Sequence, residues 1–518
     1  MKKTKERWIQ WLVFIIYLFL FGLLIYKFSY QHIDSDSSSE LILGKLLAKE
    51  GTLLSKNWFY STELRVFNTN IVYFLVSLLV EDFLWIRTIS NVILVAILFL
   101  SGYYCLKSYD KILYPFWASF LFILPFSHLY NGFVISGMYY VPHIAILLFT
   151  LGTVPYIENR KKGYKAIFIL TSIISLLAGM GGLRQLLILY IPLAATHILL
   201  FIIEKTEEQK KLIPISVTYL IFSVLGYGIN SAVLTKIYHF VNYNFMQTKE
   251  FQVEGIERMI NGYIQNFGYY VYENIFSLKG LVGLCSIPLC LLFLYCIVIG
   301  VRNQKEKELH YKNTLIYLIL TIVIFTGLYS MTTMEYNPRY LTPTITVFFI
   351  MILLFVTYET IPISYKKAII GFLCIYVSLS SYLVVKDFIT KDQLESKREV
   401  AEYIVKENIT KGYATFWNGN VMTELTNGVI DMYVLHGGTT LDDFDTLSSC
   451  EWLLSTDIIN SVSDDDVCYI VSREEYKNST SKRKRQFRPY RVFENNDYLV
   501  FRFSNDREFK KVIEKKTY

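Results

Sequence analysis

The chain reads as a polytopic α-helical membrane protein with a small α/β unit at its C-terminal end. Three observations predict this. Of 518 residues, 53% are hydrophobic and 16% aromatic, and the mean hydropathy is +0.36. Apolar runs of about 20 residues, the length that crosses a ~30 Å hydrocarbon layer, recur as far as Lys386. Beyond that point the apolar segments shorten and alternate as strands do.

The first run, 8–28, is a retained anchor, because "KFSYQHID" after it offers no small-x-small cleavage pattern. "MKKTKER" before it carries Lys2, Lys3, Lys5 and Arg7 and is expected in the cytoplasm by the positive-inside rule. Five further Lys-rich loops, near 107–111, 158–165, 204–211, 302–312 and 364–367, are each separated by two apolar runs, so all five share one side. They agree with the N-terminus only if 68–81, "NTNIVYFLVSLLVE", lies in the interface and does not cross. About eleven spans follow: 8–28, 86–106, 112–129, 138–157, 164–180, 183–203, 212–232, 280–301, 313–331, 341–358 and 368–386. A membrane module over 1–386 then has a first outer loop at 29–85, and 387–518 forms an extracellular α/β domain.

Within the outer segments, 254–276 repeats apolar residues at helical spacing and predicts an amphipathic surface helix. The tail predicts a helix in "DQLESKREVAEYIVKENI", strands in "GYATFW", "GVIDMYVL" and "CYIVS", and a hairpin turning at Asn495–Asn496. Five cysteines sit in apolar runs as small hydrophobes, whereas Cys450 and Cys468 lie in the C-terminal segment, where they could pair outside the cell or stay free. The net charge of +7 reflects the basic loops; no nucleic-acid motif occurs, and nucleic acid is not an expected partner. "HGGTTLDD" (436–443) lacks phosphate-loop spacing. "SKRKRQFRPYR" (481–491) reads as a solvated basic loop, or as a contact for anionic lipid or an acidic wall polymer.

The chemistry concentrates at "HIDSDSSSELILGKLL" (32–47). Asp34 and Asp36 follow the first span, where a carboxylate can act as general base or two can hold a divalent cation against a phosphate. The same residues also read as a helix N-terminus, with Asp36 or a serine capping and Glu40 in the first turn. Arg184, just inside a span after a Gly-rich break, and Arg339 in "MEYNPRYLTP" are cations suited to a lipid phosphate; headgroup snorkelling is the plainer role for Arg339. Glu335 and Tyr340 flank it as candidate substrate contacts. Glu63 and Arg65 form an ion pair or meet acceptor hydroxyls. Lys56 and Trp58 serve as headgroup anchors or sugar-stacking groups.

The arrangement of a first span, an acid-opened outer loop with a juxtamembrane helix, "EDFLWIRTISNVILV" at the second span, "STELRVFNTN", "YNPRYLTP" and a soluble outer tail resembles the C-type glycosyltransferase superfamily (GT-C). The resemblance covers the spans to about 386 and is one of pattern. It implies a plasma-membrane enzyme that moves a sugar from a polyprenyl-phosphate donor to a surface glycan or other envelope acceptor, with Asp34 or Asp36 as base. Mg or Mn would be optional, held by Asp34 and Asp36 if present. Relatives commonly carry a second acid in the turn between the third and fourth spans; here "LYNGFVISGMYYVPHI" has none, and His143 stands nearest. A lipid-linked glycan flippase is the rival reading, disfavoured by the absence of an internal repeat and by polar residues gathered at one face.

Overall fold

The computed structural model describes residues 2–61, 66, 68–109, 112, 114–240, 247–303, 308–436, 440–443 and 449–514. Among them, nine helices are long and apolar enough to cross a membrane. The first is α1 (Lys2–Phe28). After α2 (Ser35–Glu50) and α3 (Thr69–Ser77), α4 (Phe83–Ser108) is the second. Val141–Glu158, Leu183–Glu204, Glu207–Ile237, Leu278–Arg302, Leu309–Met331 and Pro338–Tyr358 follow, and α5 (Ile363–Thr390) is the last. Tyr164–Met180 is apolar but only 17 residues long.

Two sequence expectations meet different fates. The helix in 68–81 has nine residues, about 14 Å at 1.5 Å per residue, too short to cross. The expected continuous span at 112–129 is instead a broken path: a helix at Pro115–Ala118, a 3-10 turn at Ser119–Phe122, then irregular chain through Pro125. Irregular backbone survives inside an apolar module only where its carbonyls find donors. Tyr130 Oη donates to Phe122 O (2.7 Å), Tyr17 Oη to Ile123 O (2.6 Å) and Ser380 Oγ to Phe126 O (2.6 Å).

The polar loops sort to two ends. Glu204 pairs with Lys312 at 2.7 Å, Glu158 stands 4.0 Å from His310, and Asn303 Nδ2 donates to Glu359 at 3.1 Å. The Tyr109 ring meets His310 edge-on at 5.6 Å, and Trp11 meets Tyr103 at 6.0 Å. The basic loops and the N-terminal half of α1 therefore gather at one end, as the loop parity predicts. At the far end of the 26-residue α4, about 39 Å away, lie the first loop and the C-terminal unit.

That unit holds a five-stranded sheet in the order β4 (Asp431–Leu435), β3 (Lys411–Thr415), β6 (Val467–Ser472), β8 (Tyr498–Phe503), β7 (Arg491–Glu494). β3 runs parallel to β4 and β6, and β8 antiparallel to β6 and β7. Alternation along the strands fills two cores. Tyr413, Tyr469 and Phe501 face one, with Phe509 of the C-terminal helix; Ala414, Ile470 and Val500 face the other, with Val400 and Ile404 of α6 (Glu395–Lys406). The hairpin closes at Asn495–Asn496 as expected, with Asn495 Oδ1 accepting from Tyr498 N (2.9 Å). Cys450 and Cys468 are both free, so the pairing open to them in the sequence does not form. Ser449 bridges Leu435 on the outer edge of β4, so three strand spacings, about 14 Å, separate the two thiols, well beyond disulfide reach.

The C-terminal unit is docked rather than merely tethered. A second, three-stranded sheet joins β1 (Trp58–Tyr60) of the first loop, β2 (His239–Phe240) and β5 (Leu454–Ser455). Trp58 is buried there, in neither of its two expected roles. Arg398 Nη1 donates to Tyr30 O (2.9 Å), Ser35 Oγ to Phe416 O (2.6 Å) and Phe83 N to Asn427 Oδ1 (2.9 Å). At the centre, Arg87 of α4 forks onto Glu424 of α7 (Phe416–Leu425), Nε to Oε1 at 2.5 Å and Nη2 to Oε2 at 2.6 Å. Both side chains are almost wholly buried, 1% and 0% exposed.

The amphipathic helix predicted in 254–276 is present at Glu254–Asn266. Its inner face is fastened to the 338–344 segment, through Asn266 Nδ2 to Pro338 O (2.7 Å) and Tyr263 Oη to Thr344 Oγ1 (3.2 Å). Ile256 and Ile260 remain exposed on the outer face.

Candidate functional site

A cavity of about 330 Å³ opens where α1 gives way to α2, between the 128–137 segment and the end of α5. Asp34 lines it and Asp36 does not. Asp34 is the N-cap of α2: its Oδ1 accepts from Ser37 N at 2.8 Å, and Ser37 Oγ accepts from Asp34 N at 3.2 Å. Asp36 occupies the first turn and Glu40 the second, where it is buried and accepts from Thr69 Oγ1 at 3.0 Å. The cap thus falls on Asp34, not on Asp36 or a serine. This fixes the Asp34 backbone while engaging one carboxylate oxygen, and the residue remains exposed to the cavity.

The cavity wall brings in residues that sequence reading passed over. His32 Nε2 lies 2.8 Å from Phe388 O and must donate, because a carbonyl only accepts; its ring stacks on Phe388 at 4.4 Å. Burial lowers the pKa of His32, against weaker opposing pulls from Phe388 O and Asp392. His128, set by the Ser127 cap on Tyr130 N (3.0 Å), stacks on Tyr270 at 4.8 Å. The His32 ring is therefore disposed to be neutral near pH 7. At the far wall, Asp387 is shared by Lys279 and by Lys391, the latter at 3.3 Å, and Lys391 is more than half exposed. Arg87 also reaches this wall, but Glu424 engages its charge.

The turn facing Asp34 depends on one close approach. Residues Asn131–Ile135 form a π-helical turn, and a Cβ on Gly137 would lie 2.0 Å from Gly132 O. Beside it runs an apolar groove of about 590 Å³ between α1, Leu124–Pro125 and α5. Cavity and groove share Ile25, Asn131, Ser136 and Phe388 as walls.

Arg184, Arg339, Tyr340 and His143 come together in a separate cluster. Gly182, with φ +118°, turns the chain into the helix that carries Arg184. The Arg184 guanidinium lies over Tyr139 (5.5 Å), Tyr140 (5.3 Å) and Tyr340 (5.6 Å), and that of Arg339 over Tyr340 and Phe133, both at 5.7 Å. Gln185 Nε2 meets His143 Nδ1 at 3.1 Å. Neither arginine lines the Asp34 cavity, although Phe133 touches both regions. Glu335 is exposed nearby. Glu63 and Arg65 lie outside the described residues.

An Arg inside the apolar helix "FLWIRTISNV" is the signal that would have flagged Arg87; nothing local to Asp387 or Lys391 distinguishes them from other span-end charges. Among the described residues no three His, Cys, Asp or Glu side chains converge as a metal-binding group; of the expected Asp pair, Asp34 lines the cavity and Asp36 does not. No family model matches the chain, and no curated protein matches it.

Proposed function

We propose that the chain is a membrane glycosyltransferase of GT-C type, transferring a sugar from a polyprenyl-phosphate donor to a glycan or other envelope acceptor at the outer face of the plasma membrane. One observation carries this reading: a polar cavity bearing an exposed carboxylate shares a wall with an apolar groove among the helices. That pairing suits an amphipathic donor, with its sugar phosphate beside Asp34 and its prenyl chain between α1 and α5.

The chemistry is a single displacement. The acceptor oxygen attacks the anomeric carbon, its proton passes to the Asp34 carboxylate, and the bond to the phosphate oxygen breaks with its electron pair retained by phosphate. Lys391, a half-exposed cation on the cavity wall, is available to offset the departing charge. This reassigns the donor-phosphate role that the sequence alone gives to Arg184 and Arg339. If the Tyr164–Met180 helix and the broken 112–129 path both cross, the spans number eleven, and the positive-inside rule then favours an arrangement with the basic loops inside and Asp34 outside. Mg or Mn is optional.

Purified protein in nanodiscs is incubated with radiolabelled polyprenyl-phosphate sugars and envelope glycan fractions. Transfer that falls by about 10²–10⁴ in Asp34→Asn and stays within a few-fold of wild type in Asp36→Asn supports the assignment. Movement of donor across the bilayer without transfer overturns it in favour of a flippase.

A further inference from the structure

We propose that Trp417 is the stacking platform of a saccharide subsite, built by the C-terminal unit beside Asp34, that holds the sugar acceptor. The inference rests on the transferase reading for its role as acceptor site, but the binding it asserts stands on separate observations. Among the described residues after 391, the exposed large apolar side chains are Val405, Trp417, Val429, Val462 and Val492. Trp417 is the only aromatic of the five, and it is 61% exposed in a unit whose other large rings fill its cores.

Its placement is fixed from two directions. The residue after Asp34, Ser35, donates through Oγ to Phe416 O at 2.6 Å, so the backbone before Trp417 is one hydrogen bond from the α2 cap. Lys397 Nζ donates to Trp417 O at 2.9 Å, and the neighbouring Arg398 ties α6 to Tyr30 O at the end of α1. Lys397 also feels the Asp34 carboxylate as an attractive charge. The backbone that carries the indole is therefore braced at a corner beside the α2 cap that Asp34 forms.

An exposed indole on a braced backbone presents a flat apolar face that a ligand can cover. A pyranose offers a flat C–H face to such a ring and hydroxyls at its rim. Stacking fixes the sugar without consuming the hydroxyl that must reach Asp34. Aromatic stacking of about 1–1.5 kcal/mol corresponds to roughly tenfold in affinity.

Full-length protein in nanodiscs is titrated with cellopentaose, chitopentaose and a glycerol phosphate pentamer, followed by saturation-transfer NMR and calorimetry. Binding of at least one saccharide that weakens about tenfold in Trp417→Ala, and stays within about threefold in Trp417→Tyr, supports the subsite. Equal binding by Trp417→Ala, binding of the glycerol phosphate pentamer alone, or no saccharide binding by wild type overturns it. Measuring binding and transfer side by side separates the two claims. Saccharide bound through Trp417 in a protein without transferase activity refutes the enzyme reading alone, whereas transfer with an unchanged acceptor KM in Trp417→Ala refutes the subsite alone.

Discussion

Removing one partner of the Arg87–Glu424 pair is expected to undock the C-terminal unit. In Arg87→Met the Glu424 carboxylate, 0% exposed, loses both of its guanidinium bonds and stays in a site with no access to water. Breaking such a buried pair costs about 3–5 kcal/mol, most of it the penalty of an uncompensated charge. At 1.4 kcal/mol per decade, the docking equilibrium shifts by roughly two to three and a half orders of magnitude. The double variant Arg87→Met/Glu424→Leu leaves no charge behind and is expected to recover to within about 1–2 kcal/mol of wild type, because apolar replacement of a whole pair is often neutral. The Arg87 bond to Ser37 O (3.2 Å) is lost in both cases and sets the residual deficit. Docking is read as protection of the 391–395 junction from limited proteolysis in nanodiscs, alongside thermal melting of the C-terminal unit. Single variants within 1 kcal/mol of wild type, or a double variant as damaged as either single, would refute the reasoning.

Three other outcomes follow from the geometry. Gly137→Ala forces the π-helical turn away from Gly132 O and should destabilise the protein by about 1–3 kcal/mol, as overpacking does, seen as a lower melting temperature and reduced transfer. Ser378→Trp fills the apolar groove and should raise the KM for long-chain donors more than for donors truncated to two isoprenes, measured side by side. Burial beside the sheet pulls the Lys397 pKa down to about 8, with Asp34 and Glu475 opposing. Between that value and the ordinary lysine range near 10.4 the unfolded chain binds more protons than the folded one, so its contribution to stability rises with pH across this window. A wild-type-minus-Lys397→Met melting difference that is flat from pH 8 to pH 10.5 would contradict this.

Much of the architecture is legible because length and hydropathy are local properties. The nine-residue Thr69–Ser77 helix could be excluded as a crossing by counting, and the loop parity that followed matches the gathering of Glu158, Glu204 and His310 at one end. Residues 112–129 mislead because hydropathy reports only that a segment is apolar. Whether Pro115 and Pro125 kink a helix or break it depends on donors such as Tyr17 and Ser380, which are remote in sequence. "DSDSSSE" favours Asp36 or a serine as the cap, yet Asp34 takes that place, in a turn where Ser35 reaches Phe416, 381 residues away. The same distance problem hid the cavity itself. Asp387 and Lys391 look like span-end charges until α5 is packed beside α1, and only the fold shows that Arg184 and Arg339 stand among tyrosines apart from the Asp34 cavity. The strand alternation of the C-terminal unit needed no such context, so its hairpin could be placed to the residue.

The most direct test of the central claim is photocrosslinking of the intact protein in nanodiscs with a polyprenyl phosphate bearing a diazirine on its first isoprene, mapped by mass spectrometry. Adducts on residues 124–135 and 378–388 are expected, with labelling competed by unmodified polyprenyl phosphate. Competable adducts confined to the Arg184–Arg339 cluster, and absent from the groove beside Asp34, would contradict the account.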